Sequence, residues 1–194
     1  MSWEYTFREE LKRQGSLLVY YTSVLIQNWY FVRKIQQYLS DNKSPNICEA
    51  GAGTGFLSIY FASLGYKVFS LDIDTRFIEE ANLFFKSNIS IIQQDIRIFP
   101  YHFNLHFNLI YNIGVMEHFN DEDIIKIFKN FRSLADMFIF AVPNFKIPYS
   151  YGDERYLSKR HWQKFLKETN WKVKKTFSYN RYGLRNYLSA FVCI

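Results

Sequence analysis

The chain has 194 residues, a net charge of +6, and 48% hydrophobic and 20% aromatic residues. This length predicts a single domain, residues 1–194, because domains commonly contain about 100–200 residues. The apolar content is sufficient for a hydrophobic core. The basic residues are dispersed in short groups, which favours solvated faces over a surface that binds nucleic acid.

Cysteine usage and hydropathy indicate the kind of compartment. Cys48 and Cys193 lie inside apolar runs, which predicts buried thiols rather than a metal site or a disulfide. The N-terminal segment is charged and amphipathic, unlike a secretory signal. No stretch approaches the roughly 18 consecutive apolar residues of a membrane span. We therefore expect a cytoplasmic protein with no membrane partner, present as a monomer or a homodimer.

The first predicted elements are helices that precede the first strand. Residues 16–39 are rich in apolar and aromatic side chains, which predicts one long helix or two. We expect residues 1–40 to form a helical extension that acts as a lid, with Tyr20 and Tyr21 contacting the substrate. An aromatic stripe is also typical of a hydrophobic core, and that alternative stays open.

From residue 46 to the C-terminus, short apolar runs alternate with amphipathic stretches. The apolar runs predict strands: NICEA, KVFSLDI, SIIQQD, FNLIYNI, MFIFAVP, WKVKKTFSYN and NYLSAFVCI. The stretches between them predict helices: GFLSIYFASLG, TRFIEEANLFFKSN, DEDIIKIFKNFRSLA and KRHWQKFLKET. Strands that alternate with helices predict an α/β fold, with a parallel sheet covered on both faces. Residues 46–194 would form this core.

A glycine-rich turn follows the first predicted strand. Gly51, Gly53 and Gly55 precede a helix, so bare backbone would let a ligand lie against a helix N-terminus. Such turns are common, so the glycines alone are weak support. Asp72, at the end of the second predicted strand, strengthens the prediction because a carboxylate there can accept both hydroxyls of a ribose.

Two residues distinguish this turn from a dinucleotide site. The dinucleotide pattern G-x-G-x-x-G requires a third glycine where this chain has Phe56, so no pyrophosphate is predicted. Glu49 precedes the turn, and its carboxylate would repel phosphates and favour an ammonium group. The predicted ligand therefore has a ribose, an adenine and a positively charged amino-acid end.

Four segments in order resemble the motifs of class I S-adenosylmethionine-dependent methyltransferases of the small-molecule type. They lie within residues 46–142: the glycine turn, the strand that ends at Asp72, QQDI at 93–96, and FNLIYNIGVMEHF at 107–119. Ordered motifs are more specific than one glycine turn. The resemblance implies a Rossmann-like sheet of seven mostly parallel strands with an antiparallel last strand. It also implies S-adenosylmethionine as cofactor.

The resemblance implies a cofactor site at the carboxyl ends of the first four strands, formed by Glu49, Gly51, Ala52, Gly53, Gly55, Asp72, Ile73, Asp95, Ile96, Asn112 and Gly114. Asp72 would hold the ribose and Ile73 would pack on the adenine. Asp95 would accept from the adenine amine. Two alternatives stay open: Asp95 caps a turn, and Glu49 is a structural acid with internal partners.

His118 is the candidate catalytic base. Methyl transfer from a sulfonium is an in-line displacement, so holding the two reactants in line supplies much of the rate acceleration. A base contributes only where the acceptor must lose a proton. His118 follows the fourth predicted strand, and histidine is the side chain that most often serves as a general base. Alternatively, Glu117 and His118 only begin the next helix and shape the wall of the pocket.

The acceptor is predicted to be a small molecule methylated at oxygen or nitrogen. The D/N-P-P-Y/F motif of nucleic-acid and glutamine methyltransferases is absent after the fourth strand, and no metal-ligand spacing is evident. Tyr149, Tyr151 and Arg155, which follow the fifth strand, are the candidate substrate contacts. An RNA or protein methyltransferase and a non-catalytic cofactor-binding protein remain the alternatives.

Overall fold

A seven-stranded sheet organises the chain. The computed structural model describes residues 3–99, 105–145, 152–179 and 187–194. The strands are β1 Asn46–Ala50, β2 Lys67–Asp72, β3 Ile89–Gln93, β4 Leu109–Ile113, β5 Phe138–Pro143, β6 Val173–Tyr179 and β7 Leu188–Cys193. Their order is β3-β2-β1-β4-β5-β7-β6, and β7 runs antiparallel to both of its neighbours. The predicted fold is confirmed.

Helices cover both faces of this sheet. They are α1 Trp3–Gln14, α2 Leu17–Gln27, α3 Trp29–Leu39, α4 Phe56–Ser63, α5 Arg76–Phe85, α6 Asp121–Leu134 and α7 Lys159–Glu168. Two short 3-10 turns, Ile96–Ile98 and Met116–His118, follow β3 and β4. Within the described ranges, no helix has both the length and the apolar character needed to cross a bilayer.

The core explains the high aromatic content. On one face, α3 and α4 bury Phe31, Phe61 and their neighbours against the sheet. On the other face, α6 and α7 pack on a row of stacked aromatic rings. The ring centroid of Phe140 lies 4.9 Å from the ring centroids of both Phe138 and Phe191. Burying a side chain of this size contributes about 1.5–3 kcal/mol, so the aromatic residues mainly stabilise the fold.

The N-terminal segment forms separate helices. The segment 16–39 is divided at Asn28, whose side-chain amide donates to the Val24 carbonyl at 2.9 Å. α3 packs on the sheet, so it belongs to the helix layer. α1 and α2 lie farther out against α5, where Phe7 contacts Phe77 and Tyr21 contacts Phe85. The segment is therefore helical as expected, while the lid function stays a prediction.

The strand order places the ligand crevice. From β1 the chain crosses to β2 on one side, and it later returns to β4 on the other side. In open α/β sheets, ligands bind outside the carboxyl ends of the strands where the order reverses in this way. Here, that point lies between the ends of β1 and β4.

Candidate cofactor and acceptor site

The turn after β1 is shaped by glycines that adopt left-handed backbone. Gly51, Gly53 and Gly55 have φ values of +78°, +56° and +68°. A Cβ atom on Gly51 would lie 2.7 Å from Val115 Cγ1. Val115 follows β4, so the turns after β1 and β4 meet at Gly51. This close approach leaves bare main chain at the crevice, as a ligand that lies against the backbone requires.

Asp72 connects the end of β2 to the glycine turn. Its Oδ2 accepts from the Gly53 amide at 2.7 Å, and its Oδ1 accepts from the Asp74 amide at 3.0 Å. An ionised carboxylate has about four acceptor sites, so the half-buried Asp72 retains capacity for ribose hydroxyls. Ile73, 65% exposed, lies directly beside it. An exposed apolar side chain at this edge is suited to contact a nucleoside base.

Glu49 has partners within the protein. Its Oε2 accepts from the Ser58 amide at 2.9 Å and from the Ser58 hydroxyl at 2.6 Å. Ser58 lies in the first turn of α4, where backbone amides lack helical partners. Burial, with the charge of Asp72 contributing, raises the pKa of Glu49 to about 8. These contacts support the structural alternative, and a contact with the methionine amino group stays a prediction.

Asp95 is engaged by a neighbouring cation. It accepts from the Arg97 amide at 2.8 Å, and its Oδ2 lies 2.5 Å from the Arg97 guanidinium. These bonds hold its pKa below the usual range. Asp95 thus caps the turn Ile96–Ile98, and the buried Ile96 side chain packs in the core. The structure supports the capping alternative, and the proposed adenine contacts of both residues stay predictions.

Asn112 lies at the end of β4 with an unsatisfied amide. Its side chain is fully buried, and neither its Nδ2 nor its Oδ1 forms a hydrogen bond with any residue that the structure describes. Buried polar groups are normally paired, so an orphaned amide calls for a water or a ligand. Gly114, two residues later, is exposed with φ +68°. Both features are consistent with a ligand at this strand end.

Glu117 is a further candidate residue of this site, for which the sequence predicts at most a role in shaping the wall of the pocket. The side chain is 3% exposed, and its Oε2 accepts no hydrogen bond from the described residues. Its Oε1 lies 3.5 Å from the position a Gly114 Cβ would take. Burial, with the charges of Glu154 and Asp153 contributing, raises the pKa of Glu117 to about 8. The sequence MEHF at residues 116–119 shows that an acidic residue is present, but it does not predict that the side chain of Glu117 is buried.

His118 is oriented by a carboxylate from a distant segment. Its Nδ1 lies 2.7 Å from Asp153 Oδ1, and 36% of the imidazole side chain is exposed. A carboxylate at one ring nitrogen fixes the ring orientation and leaves the other nitrogen for proton transfer. The arrangement fits a positioned base, and the catalytic role of His118 stays a proposal.

Arg155 holds the turn after β4 in place. Its backbone amide donates to the Glu117 carbonyl at 3.0 Å, and its Nη1 donates to the Phe119 carbonyl at 2.5 Å. Its Nη2 pairs with Asp121. The guanidinium is thus occupied within the chain, which makes positioning its evident contribution. The other substrate contacts predicted in this segment, Tyr149 and Tyr151, lie outside the described residues.

Tyr20 and Tyr21 lie at the glycine turn. The buried Tyr21 hydroxyl donates to the Thr54 carbonyl inside the turn. Tyr20 is half-buried against Phe7, and burial raises its pKa to about 12. α2 therefore covers the turn that is predicted to hold the cofactor. Substrate contact by the two tyrosines stays a prediction.

The described part of the chain contains no candidate metal-binding site. Residues 3–99, 105–145, 152–179 and 187–194 contain no group of three His, Cys, Asp or Glu side chains placed to hold an ion. The pair of His118 and Asp153 provides two such groups. Metal independence stays a prediction.

The sequence and the fold were compared with known protein families and solved structures. A family model described as a methyltransferase domain matches residues 47–136, which run from β1 through α6. A search of curated proteins gives no significant match. Among solved structures, the PH0226 protein from Pyrococcus horikoshii OT3 superposes with a TM-score of 0.72 at 16% identity, covering 89% of this chain and 90% of that one.

Two further solved structures carry names of methyltransferases. The 1,6-didemethyltoxoflavin-N1-methyltransferase from Burkholderia thailandensis has a TM-score of 0.70 at 12% identity, covering 84% of this chain and 75% of that one. Magnesium protoporphyrin IX methyltransferase from Synechocystis PCC 6803, with bound SAH, has a TM-score of 0.66 at 17% identity, covering 84% and 81%. At these identities the likeness shows the fold alone.

The residues at the crevice fit the cofactor of such a domain. The glycine turn provides bare backbone, Asp72 provides a carboxylate at the end of β2, and Asn112 provides an unsatisfied amide at the end of β4. The matched domain, the strand order and these residues agree. Residues 47–136 thus match a methyltransferase domain, and the fold of the whole sheet is the one that solved S-adenosylmethionine-dependent methyltransferases share.

Proposed function

We propose that this enzyme transfers the methyl group of S-adenosylmethionine to an oxygen or a nitrogen of a small-molecule acceptor. The observation that carries the proposal is a pair of buried polar side chains at and after the end of β4. The amide of Asn112 and the Oε2 of Glu117 form no hydrogen bond with the residues that the structure describes. A small molecule can enter a crevice and reach such groups, whereas a folded polymer contacts mainly the surface.

Different residues of the chain are assigned to cofactor binding and to proton transfer. The cofactor, when bound, supplies an activated methyl group on a sulfonium. The glycine turn and Asp72 would hold it at the ends of β1 and β2. α2 covers the glycine turn through the bond from Tyr21 to Thr54. His118, oriented by Asp153, is the proposed base for an acceptor that must lose a proton.

The charges around the acceptor side disfavour a polyanionic substrate. Asp121 and Asp153 are exposed beside the turn Met116–His118, and Glu154 follows. An RNA backbone requires basic contacts, and the basic groups beside this turn, Arg155 and His118, are already paired with Asp121 and Asp153. Two solved structures of the same fold are named for small acceptors, 1,6-didemethyltoxoflavin and magnesium protoporphyrin IX. Both points support a small-molecule acceptor.

The test is methyl transfer to fractionated cell extract. We expect label from methyl-tritiated S-adenosylmethionine to appear in the small-molecule fraction, and not in RNA or protein. Asp72→Asn should reduce S-adenosylhomocysteine affinity and labelling at least tenfold, since charged hydrogen bonds contribute about 1.5–3 kcal/mol each. The control, Asp74→Asn, changes an exposed acid paired with Arg76 and should leave both near the wild-type level.

Labelling of RNA would contradict the small-molecule assignment. The result would be decisive if RNA affinity also fell steeply across a salt series, because phosphate contacts release counterions. Equal S-adenosylhomocysteine affinity in wild type and Asp72→Asn would contradict the assigned ribose contact. Calorimetry measures that affinity independently of turnover.

A further inference from the structure

Glu117 is a buried acid with one carboxyl oxygen that no described residue satisfies. The side chain is 3% exposed, and the described residues donate nothing to its Oε2. A buried carboxylate that lacks hydrogen bonds or a counter-charge is costly, so such groups are rare in structural positions. Glu49, the buried acid at β1, shows the contrast, because Ser58 satisfies it twice. The carboxyl of Glu117 has a hydrogen bond with its own backbone amide, and its Oε2 lacks a donor among the described residues.

The charges that act on the Glu117 carboxyl would favour a bound cation. The charges that act on it most strongly belong to Glu154 and Asp153, and both are acidic. Arg155, the neighbouring cation, donates its backbone amide to the Glu117 carbonyl, but its guanidinium reaches Phe119 and Asp121 instead. Among the described residues, the charges that act on Glu117 are therefore negative, and a cation would offset them.

The buried Tyr179 phenol, whose pKa the charge of Glu117 affects, donates its hydrogen bond to another residue. Burial, with the charge of Glu117 contributing, raises the pKa of Tyr179. The Tyr179 hydroxyl donates to Asn28 Oδ1 at 3.2 Å. This contact leaves the Glu117 carboxyl available to a ligand.

Glu117 also lies where methyl transfer is expected. Its Oε1 lies against Gly114, and the next residue, Val115, packs on Gly51 of the glycine turn. The carboxyl is thus placed between the cofactor turn and the segment of Asp153 to Arg155. A group bound to Glu117 would lie at the junction of the β1 and β4 turns.

We propose that Glu117 binds the methyl acceptor directly and that the acceptor is an amine. This inference rests on the proposed function, and it narrows the acceptor class from oxygen or nitrogen to nitrogen. An ammonium group supplies both the positive charge and the N–H donors that Glu117 lacks.

The same contact serves the chemistry of transfer. For an amine acceptor the proton goes to Glu117 rather than to His118. The bound ammonium ion gives one proton to the Glu117 carboxylate and so exposes the lone pair of the amine nitrogen. That lone pair forms the bond to the methyl carbon as the carbon–sulfur bond breaks, and the sulfur keeps the electron pair. A primary ammonium acceptor leaves as a secondary ammonium ion. An acid of raised pKa is a suitable base for this step.

The test uses the full chain saturated with S-adenosylhomocysteine and a panel of amines of varied skeleton. Each amine is paired with its alcohol, such as phenethylamine with phenethyl alcohol and butylamine with butanol. Calorimetry measures both affinities. We expect at least one amine to bind at least tenfold more tightly than its alcohol. Glu117→Gln should weaken that binding at least tenfold, whereas Glu122→Gln, on the exposed side of α6, should leave it unchanged.

Several outcomes would overturn the inference. They are a panel in which no amine binds, alcohols that bind as tightly as amines, and amine affinity that survives Glu117→Gln. Loss of S-adenosylhomocysteine affinity in Glu117→Gln would assign the acid to the cofactor, which overturns the amine contact and leaves the proposed function intact. Selectivity of the wild-type protein for amines tests the inference even if the variant does not fold.

Discussion

At the scale of single residues, Gly51 shows how the crevice is kept open. Its φ of +78° favours glycine, and the atoms of Val115 occupy the space beside it. A left-handed conformation costs a residue with a Cβ about 1–2 kcal/mol. The packing conflict with Val115 adds a second cost, typically about 1–3 kcal/mol. Gly51 thus avoids both the strain of a left-handed backbone and a steric conflict with Val115.

Gly51→Ala tests that double requirement. We expect it to reduce the free energy of unfolding by about 2–5 kcal/mol, the strain and packing costs together, and to weaken S-adenosylhomocysteine binding. Gly65→Ala is the matched control, because Gly65 has φ +83° and no atom within 4 Å of its added Cβ. The control should show the strain cost alone. Chemical denaturation measures both.

Val115 provides an independent check on the packing cost. Gly51→Ala combined with Val115→Ala should recover stability relative to Gly51→Ala alone, because the substitution removes the Cγ atoms that conflict with the new Cβ. Equal stability losses for Gly51→Ala and Gly65→Ala would show that the contact with Val115 carries no cost.

At the scale of elements, α2 is unusual because apolar residues occur on all its sides. Leu18, Val19 and Ile26 are exposed, whereas Tyr21 on another side is buried. The helix begins at the cap Ser16, which accepts from the Val19 amide. Its specific polar tie to the cofactor turn is the bond from Tyr21 to Thr54. Removing that bond therefore tests the prediction that α2 acts as a lid over the cofactor site.

Tyr21→Phe removes that tie and keeps the ring. We expect a loss of about 0.5–1.5 kcal/mol in stability, the usual contribution of one hydrogen bond. We also expect faster amide exchange in α2 and weaker S-adenosylhomocysteine binding. The control is Tyr30→Phe on α3, whose ring is half-exposed against Phe177. Unchanged exchange and affinity in Tyr21→Phe would remove the support for a lid.

At the scale of the whole molecule, two buried acids couple stability to pH. Glu49 and Glu117 lie at the ends of neighbouring strands, and burial raises the pKa of each from 4.5 to about 8. The folded protein therefore holds more protons than the unfolded chain between those values. Stability is fully present below the unfolded pKa and is lost as the pH rises through the folded pKa.

We expect the melting temperature of the free protein to fall by several degrees between about pH 6 and about pH 9, since 1 kcal/mol corresponds to about 2–4 °C at this size. Glu117→Gln should reduce the fall, because it removes one of the two groups. Differential scanning calorimetry across the pH range measures it. A melting temperature that is constant or rises with pH would contradict the burial of both acids.

The sequence by itself determined the features that depend on neighbouring residues. The alternation of strands and helices, the glycine turn after β1 and Asp72 at the end of β2 follow from local spacing, and the fold confirms the resulting sheet. These predictions hold because hydrophobic period and turn chemistry act within a few residues.

The tertiary structure alone decided which partner each polar side chain meets. Arg155 pairs with Asp121 across 34 residues, and His118 pairs with Asp153 across 35. No spacing rule within a motif predicts contacts at such separations. Glu49 and Glu117 are both acids beside motif residues, yet Ser58 satisfies one and the other lacks a hydrogen bond at Oε2 from the described residues. Burial and pairing depend on how distant segments pack, and they distinguish the structural acid from the candidate acceptor site.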